Sequence, residues 1–261
     1  MKILMIGDVV GRTGRDCLRD LLAKIKENYE IDLVIANGEN AAGGRGITRK
    51  VADDLFSYGV DILTSGNHVW DNKEIMEFID QEERILRPVN YPPNTPGIGY
   101  KILWIKEIPV GIINVMGKVF LSSLDCPFRT LEKVVKELRE TTPNIIVDFH
   151  AEATSEKIAM GWFLDGQVSA VLGTHTHVQT ADERIFPQGT AFICDVGMTG
   201  PVNGVIGVKK EAIIKMFLTQ LPTKFEFLQE STSQFNGVIV EIDPAKGKAE
   251  SIFRLVDYHK I

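Results

Sequence analysis

Short β-branched and aliphatic runs recur along this chain, each stopping at a polar turn and followed by a helical repeat, and this recurrence confines it to an α/β architecture. Residues 2–6 stop at Gly7 and Asp8, after which Leu18, Leu21, Leu22 and Ile25 fall at helical spacing within residues 14–29. Residues 32–36 stop before Gly38, Glu39 and Asn40, and residues 61–64 stop before Gly66, Asn67 and His68. Between them a helix over 51–58 is expected to begin near Thr48. Beyond a Pro-rich stretch at 91–97, residues 99–105 and 110–115 are close enough to form an antiparallel hairpin, which makes the sheet mixed. Leu131, Val134, Val135 and Leu138 mark a helix, and the strand at 144–149 delivers His150. A helix over 155–164, strands at 170–172 and 190–194, a helix over 211–221 and a closing strand pair at 237–242 and 251–256 complete the pattern.

With 44% apolar residues in 261 and no low-complexity linker, the expectation is one globular domain over 1–261. The net charge of −6 offers no basic stripe, which argues against tracking long nucleic acid through counterion release. A small anionic substrate would then need bound cations to attract it. Cys17, Cys126 and Cys194 are widely spaced without a CxxC pair, so neither a disulfide framework nor a thiolate zinc site is expected, and a reducing cytoplasm fits. Residues 1–7 are too few for a signal peptide, and no apolar run nears the roughly 20 residues that span a bilayer, so a soluble protein without a membrane partner is expected.

In α/β sheets ligands collect at the carboxyl ends of strands, where loops vary on a rigid frame. Asp8, Glu39 with Asn40, Asn67 with His68, His150, and His175 with His177 all fall there. Singly, each has a plain reading: a helix cap for Asp8, a solvated turn for Glu39 and Asn40, a structural imidazole for His150. Jointly they are harder to set aside, because four of the five histidines lie in these loops, leaving His259 as an exposed tail residue. His175 and His177, two apart in a turning segment, can project to one side. Carboxylate, carboxamide and imidazole without thiolate favour iron, manganese or zinc over calcium. Seven donors exceed one tetrahedral site, so two ions are expected, bridged by Glu39 at a separation of roughly 3.5 to 4 Å.

GD at Gly7–Asp8, GNH at Gly66–His68, the single His150 and GTHTH at Gly173–His177 resemble the calcineurin-like metallophosphoesterase superfamily in order and type. That superfamily opens with Asp-x-His and has an Asp in its second motif, whereas here Val10 replaces the first His and Gly38, Glu39 and Asn40 occupy the second. GDVVG, NGEN, SGNH, His150 and GTHTH together resemble the YmdB family across the first 177 residues. The resemblance implies an α/β fold of two mixed β-sheets packed as a four-layer sandwich flanked by helices. It also implies a phosphodiesterase acting on 2′,3′-cyclic nucleotides, associated with iron. By the same resemblance Asp8, Asn40 and His177 serve one metal, Asn67, His150 and His175 the other, Glu39 bridges, and His68 is the proton donor.

The expected chemistry is in-line attack on phosphorus by a metal-activated water, with a small phosphodiester as partner and a homo-oligomer left open. His68 has a second reading, as a residue that holds the Asn67 loop. The Gly43–Gly46 segment reads as an ordinary turn before a helix, and Arg12 and Arg15 lack the GKS or GKT of a P-loop. Two other classes compete. A dinuclear amidohydrolase uses similar residues, but its HxH pair lies at the first barrel strand, and here the pair comes late. A signalling or scaffold factor would use the metal for structure or regulation.

Overall fold

The computed structural model describes residues 1–230 and 232–260. Its strands form two mixed sheets, one of eight strands and one of six. At the centre of the larger sheet Lys2–Ile6 pairs in parallel with Leu33–Asn37, which continues in parallel to Ile62–Thr64 and Ile85–Leu86. Its other neighbour, Thr232–Asp243, is antiparallel. In the smaller sheet Ile108–Met116, Ile145–His150, Ala170–Thr174 and Ala191–Ile193 run parallel, with antiparallel edges at Tyr100–Ile105 and Arg184–Ile185.

The period of two along each strand builds the layers. Ile3 and Met5 face inward and meet Val110, Ile112, Ile146 and Leu172 of the second sheet, while Leu4 and Ile6 face Leu18, Leu22 and Leu55 on the helices Gly11–Tyr29 and Arg49–Ser57. On the far side Ile113, Val147 and Phe149 pack on Leu131, Val135 and Met160 of the helices Pro127–Leu138 and Thr154–Phe163. The result is the expected four-layer sandwich, helix on sheet on sheet on helix. Among the described residues no helix is long and apolar enough to cross a membrane.

The hairpin at Tyr100–Ile105 and Ile108–Met116 turns through Lys106 and Glu107, both at positive φ (48° and 68°), the two-residue geometry that matches strand twist. Thr48 caps its helix by accepting the Val51 amide at 3.2 Å. Other expectations are corrected. The first helix starts at Gly11, because Gly14 is an interior glycine whose missing Cβ lets the helix lie against the Thr199 carbonyl. The closing strands are far longer, Thr232–Asp243 and Lys248–Lys260. His259 is therefore no exposed tail residue: it sits in that ladder opposite Ser233, with Nε2 3.2 Å from Asp20 Oδ2. Asp8 begins a two-residue strand, Asp8–Val9, parallel to Met198–Thr199 of the strand Met198–Pro201. Elements of two to four residues are too short to leave a periodic signal.

Candidate metal centre

The parallel strands of both sheets end at one edge, and there the seven expected donors meet. His150 Nε2 lies 2.9 Å from Asn67 Oδ1, 3.0 Å from His175 Nδ1 and 3.1 Å from Glu39 Oε1. Donor atoms of Glu39, His150 and His175 all fall within 4.8 Å of one another. Beside them His177 Nε2 is 3.7 Å from Asp8 Oδ1, and Asp8 Oδ2 accepts the His175 amide at 3.1 Å. Asn40, next to Glu39, donates through Nδ2 to the Gly44 carbonyl at 3.0 Å, and its Oδ1 is left buried. Glu39 Oε2 accepts the His68 amide at 2.9 Å.

Three features fit this cluster to cations. Asp8 Oδ1 and Asn40 Oδ1 are buried without a hydrogen-bond partner, which costs on the order of 1–3 kcal/mol each unless an ion satisfies them. Each imidazole also spends its outer nitrogen on the protein: His150 Nδ1 on Thr174 Oγ1 at 3.0 Å, His175 Nε2 on Glu152 Oε2 at 2.9 Å, His177 Nδ1 on the Ile206 carbonyl at 3.0 Å. Outer N–H groups held this way leave inner lone pairs facing the cluster, the tautomer a metal requires. Finally, His175 and His177 sit at φ of 105° and 63°, conformations that cost on the order of 1–3 kcal/mol each and persist where surroundings enforce them.

Electrostatics concentrate at the same place. Burial raises the Asp8 carboxyl. Burial opposes ionisation of Glu39 too, but the His150 charge and hydrogen bond, helped by His68, outweigh it and hold Glu39 low. The His150 imidazole, which burial alone would lower, is pushed up to about 9 by Glu39, Asp8 and Asp148. Burial and the His150 charge together drive His175 down to about 3. Two imidazole nitrogens in contact do not both protonate, so the cluster holds one positive charge where its lone pairs converge.

Several residues that sequence reasoning passed over support the donors. Asp148 accepts Thr174 Oγ1 at 2.7 Å and so completes a chain from His150 through Thr174 to a carboxylate, its own carboxyl raised by burial to about 6. Asn37 donates to Asp148 and to the Ser65 carbonyl. An acidic residue inside the apolar run at 144–149 was the available signal for Asp148. The missing Cβ of Gly66 leaves room for the His150 ring. His68 stands at the rim, its Nδ1 2.8 Å from Asp71 Oδ2.

The cluster floors a cavity of about 410 Å³. Its lining combines the polar Glu39, Asn40, Arg45, His68, Glu152, His175 and His177 with the apolar Ile206, Met216, Phe217, Phe225 and Phe227. The Gly43–Gly46 segment is indeed a turn, yet Arg45 reaches this cavity and Gly44 lies under the Phe227 ring. A larger cavity of about 540 Å³ by Arg87 and Arg129 is lined by none of the seven expected donors.

Two mixed sheets packed face to face, with carboxylate, carboxamide and imidazole side chains gathered where their parallel strands end, define a protein of the metallophosphoesterase class. Residues 4–255 match the family described as YmdB-like protein, and the chain belongs to that family. A Bacillus subtilis (strain 168) protein named 2′,3′-cyclic-nucleotide 2′-phosphodiesterase is 48% identical over 256 residues, which is 98% of this chain and 97% of the relative. The crystal structure of a hypothetical protein from Thermus thermophilus superposes with a TM-score of 0.93 at 41% identity, covering 99% of this chain and 100% of that one. A crystal structure described as a novel phosphatase from Mycoplasma pneumoniae gives 0.94 at 34% identity, covering 100% and 94%.

Proposed function

We propose that this chain, acting as one catalytic unit, is a dinuclear metal-dependent phosphodiesterase that hydrolyses 2′,3′-cyclic nucleotides. The observation that carries this reading is that Asp8 Oδ1 and Asn40 Oδ1 are buried without partners in a cluster whose three imidazoles already have their outer nitrogens engaged, at a cavity lined in part by phenylalanines. Asp8, Asn40 and His177 would hold one ion, Asn67, His150 and His175 the other, with Glu39 between them; iron is the foremost candidate, then manganese or zinc. Divalent cations in such a cradle supply Lewis acidity toward phosphoryl oxygens and acidify water enough for attack near neutral pH.

The chain's own residues do the rest. Glu39 keeps its carboxylate ionised beside His150, and the outer partners Thr174, Glu152 and Ile206 hold the three rings in one tautomer. His68, whose Nδ1 is held by Asp71, would give a proton to the departing ribose oxygen as the bond from phosphorus to that oxygen breaks. The aromatic side of the cavity suits a nucleobase, since every base offers a face for stacking. The B. subtilis relative's named activity supports the same substrate class. Two open sheets, not a closed barrel, carry the site, which removes the ground for an amidohydrolase. The free cysteines fit a reducing cytoplasm. Elemental analysis of the purified protein, with an assay of 2′,3′-cyclic nucleotides under added iron, manganese and zinc, tests the reading. Metal-loaded protein that leaves these substrates and activated diesters intact would instead favour a signalling role.

A further inference from the structure

Lys157 lies on the buried face of Thr154–Phe163, only 1% exposed, where helical spacing calls for an apolar side chain. Its ammonium is 2.7 Å from Oδ2 of Asp195, which is equally buried and follows the strand Ala191–Ile193. The same oxygen accepts the Thr176 amide at 3.0 Å and the Thr176 hydroxyl at 2.7 Å, while Oδ1 accepts the Gly197 amide at 2.8 Å. Thr176 is the residue between His175 and His177.

A buried ion pair is a poor way to gain stability, because desolvation offsets attraction and an apolar pair of similar volume often serves as well. Here the carboxylate's hydrogen bonds go to the loop that carries two imidazoles at positive φ. Gly173 makes the approach feasible: a Cβ there would meet Lys157 Cδ at 3.1 Å and would also fall on the Cys194 carbonyl. Lys157 reaches Asp195 over the first glycine of GTHTH, and Asp195 grips the central threonine.

We propose that the Lys157–Asp195 ion pair is a positioning device for His175 and His177, fixing through Thr176 the backbone conformation that turns both rings into the metal cluster. Lys157 supplies the compensating charge that a buried carboxylate needs, and Asp195 Oδ2 accepts the ammonium together with both Thr176 groups. The inference rests on the reading of His175 and His177 as metal donors.

The test uses the full chain and Mn²⁺ alone as probe. Thr176→Val removes one hydrogen bond and leaves the ion pair intact; Thr176→Ser restores it. Lys157→Met combined with Asp195→Asn removes both charges together, so neither is left buried without a partner. For Thr176→Val and for the double variant, Mn²⁺ affinity is expected to fall about 10- to 100-fold, the usual cost of losing a partner that orients a ligand. The melting temperature of Thr176→Val should stay close to wild type, and Thr176→Ser should recover wild-type affinity. Turnover should fall with KM little changed. Wild-type Mn²⁺ affinity in Thr176→Val, or in a folded double variant, overturns the proposal; if the double variant does not fold, the Thr176 pair decides. Failure of the wild-type protein to bind Mn²⁺ would sink the metal assignment itself. In that event the ¹⁵N shifts of the His175 and His177 rings still judge the positioning role: unchanged shifts in Thr176→Val reject it.

Discussion

His150 Nε2 and His175 Nδ1 stand 3.0 Å apart in a buried site, each ring held from behind by a protein acceptor. Between two such nitrogens there is room for one positive charge, a proton or a metal ion. That competition gives the first prediction. In the metal-free protein His150 titrates near 9 and His175 is already neutral at pH 7, so binding an ion at this site releases about one proton. Affinity should rise about tenfold per pH unit below 9 and level off above it. The sign for folding is opposite. A raised imidazole pKa stabilises the metal-free protein fully below the unfolded value of about 6.5, and that contribution is lost as pH climbs through 9. Titration calorimetry in two buffers of different ionisation enthalpy measures the proton directly; pH-independent affinity would contradict the geometry.

His68→Ala should keep its metals and lose turnover by about 10²- to 10⁴-fold, the usual contribution of a general acid. The variant leaves the His68 amide on Glu39 untouched, since that bond uses the backbone. Metal content by elemental analysis and kcat on a cyclic nucleotide separate this outcome from a loop-holding role, in which both would drop.

Gly66→Ala places a methyl on the His150 ring. Overpacking of this kind typically costs about 1–3 kcal/mol, and here the strain lands on a candidate ligand. Thermal unfolding should show the loss of stability, and metal affinity should fall at least about tenfold.

Phe217→Ala should raise KM for 2′,3′-cyclic nucleotides by about 5- to 100-fold, as expected from removing a stacking surface. Steady-state kinetics with all four bases provide the check: stacking predicts a similar penalty for each and little change in kcat.

Much of the site was legible because its chemistry is local in sequence. Glycine-bearing turns after apolar runs mark where strands end, and histidines crowded into those turns cannot be explained by helix or strand packing. Supporting residues left weaker traces. Lys157 is a lone charge at an apolar position of its helix, and Asp195 looks like a turn former after a strand; only their contact at 2.7 Å gives them meaning. Phe217, Phe225 and Phe227 read as scattered apolar residues until folding brings them into one cavity with Glu39, Asn40, His175 and His177.

The sequence by itself determined the strand and helix periods and the kinds of polar residue at each strand end, because these follow from spacing along one chain. Tertiary structure alone decided that Asp8, 167 residues from His175, accepts its amide, that Asp195 grips Thr176, and that three phenylalanines line the same cavity as the cluster. Such contacts depend on how two sheets pack and which strand ends they bring to one edge. No local pattern encodes that arrangement, since it is set by the burial of both sheets at once.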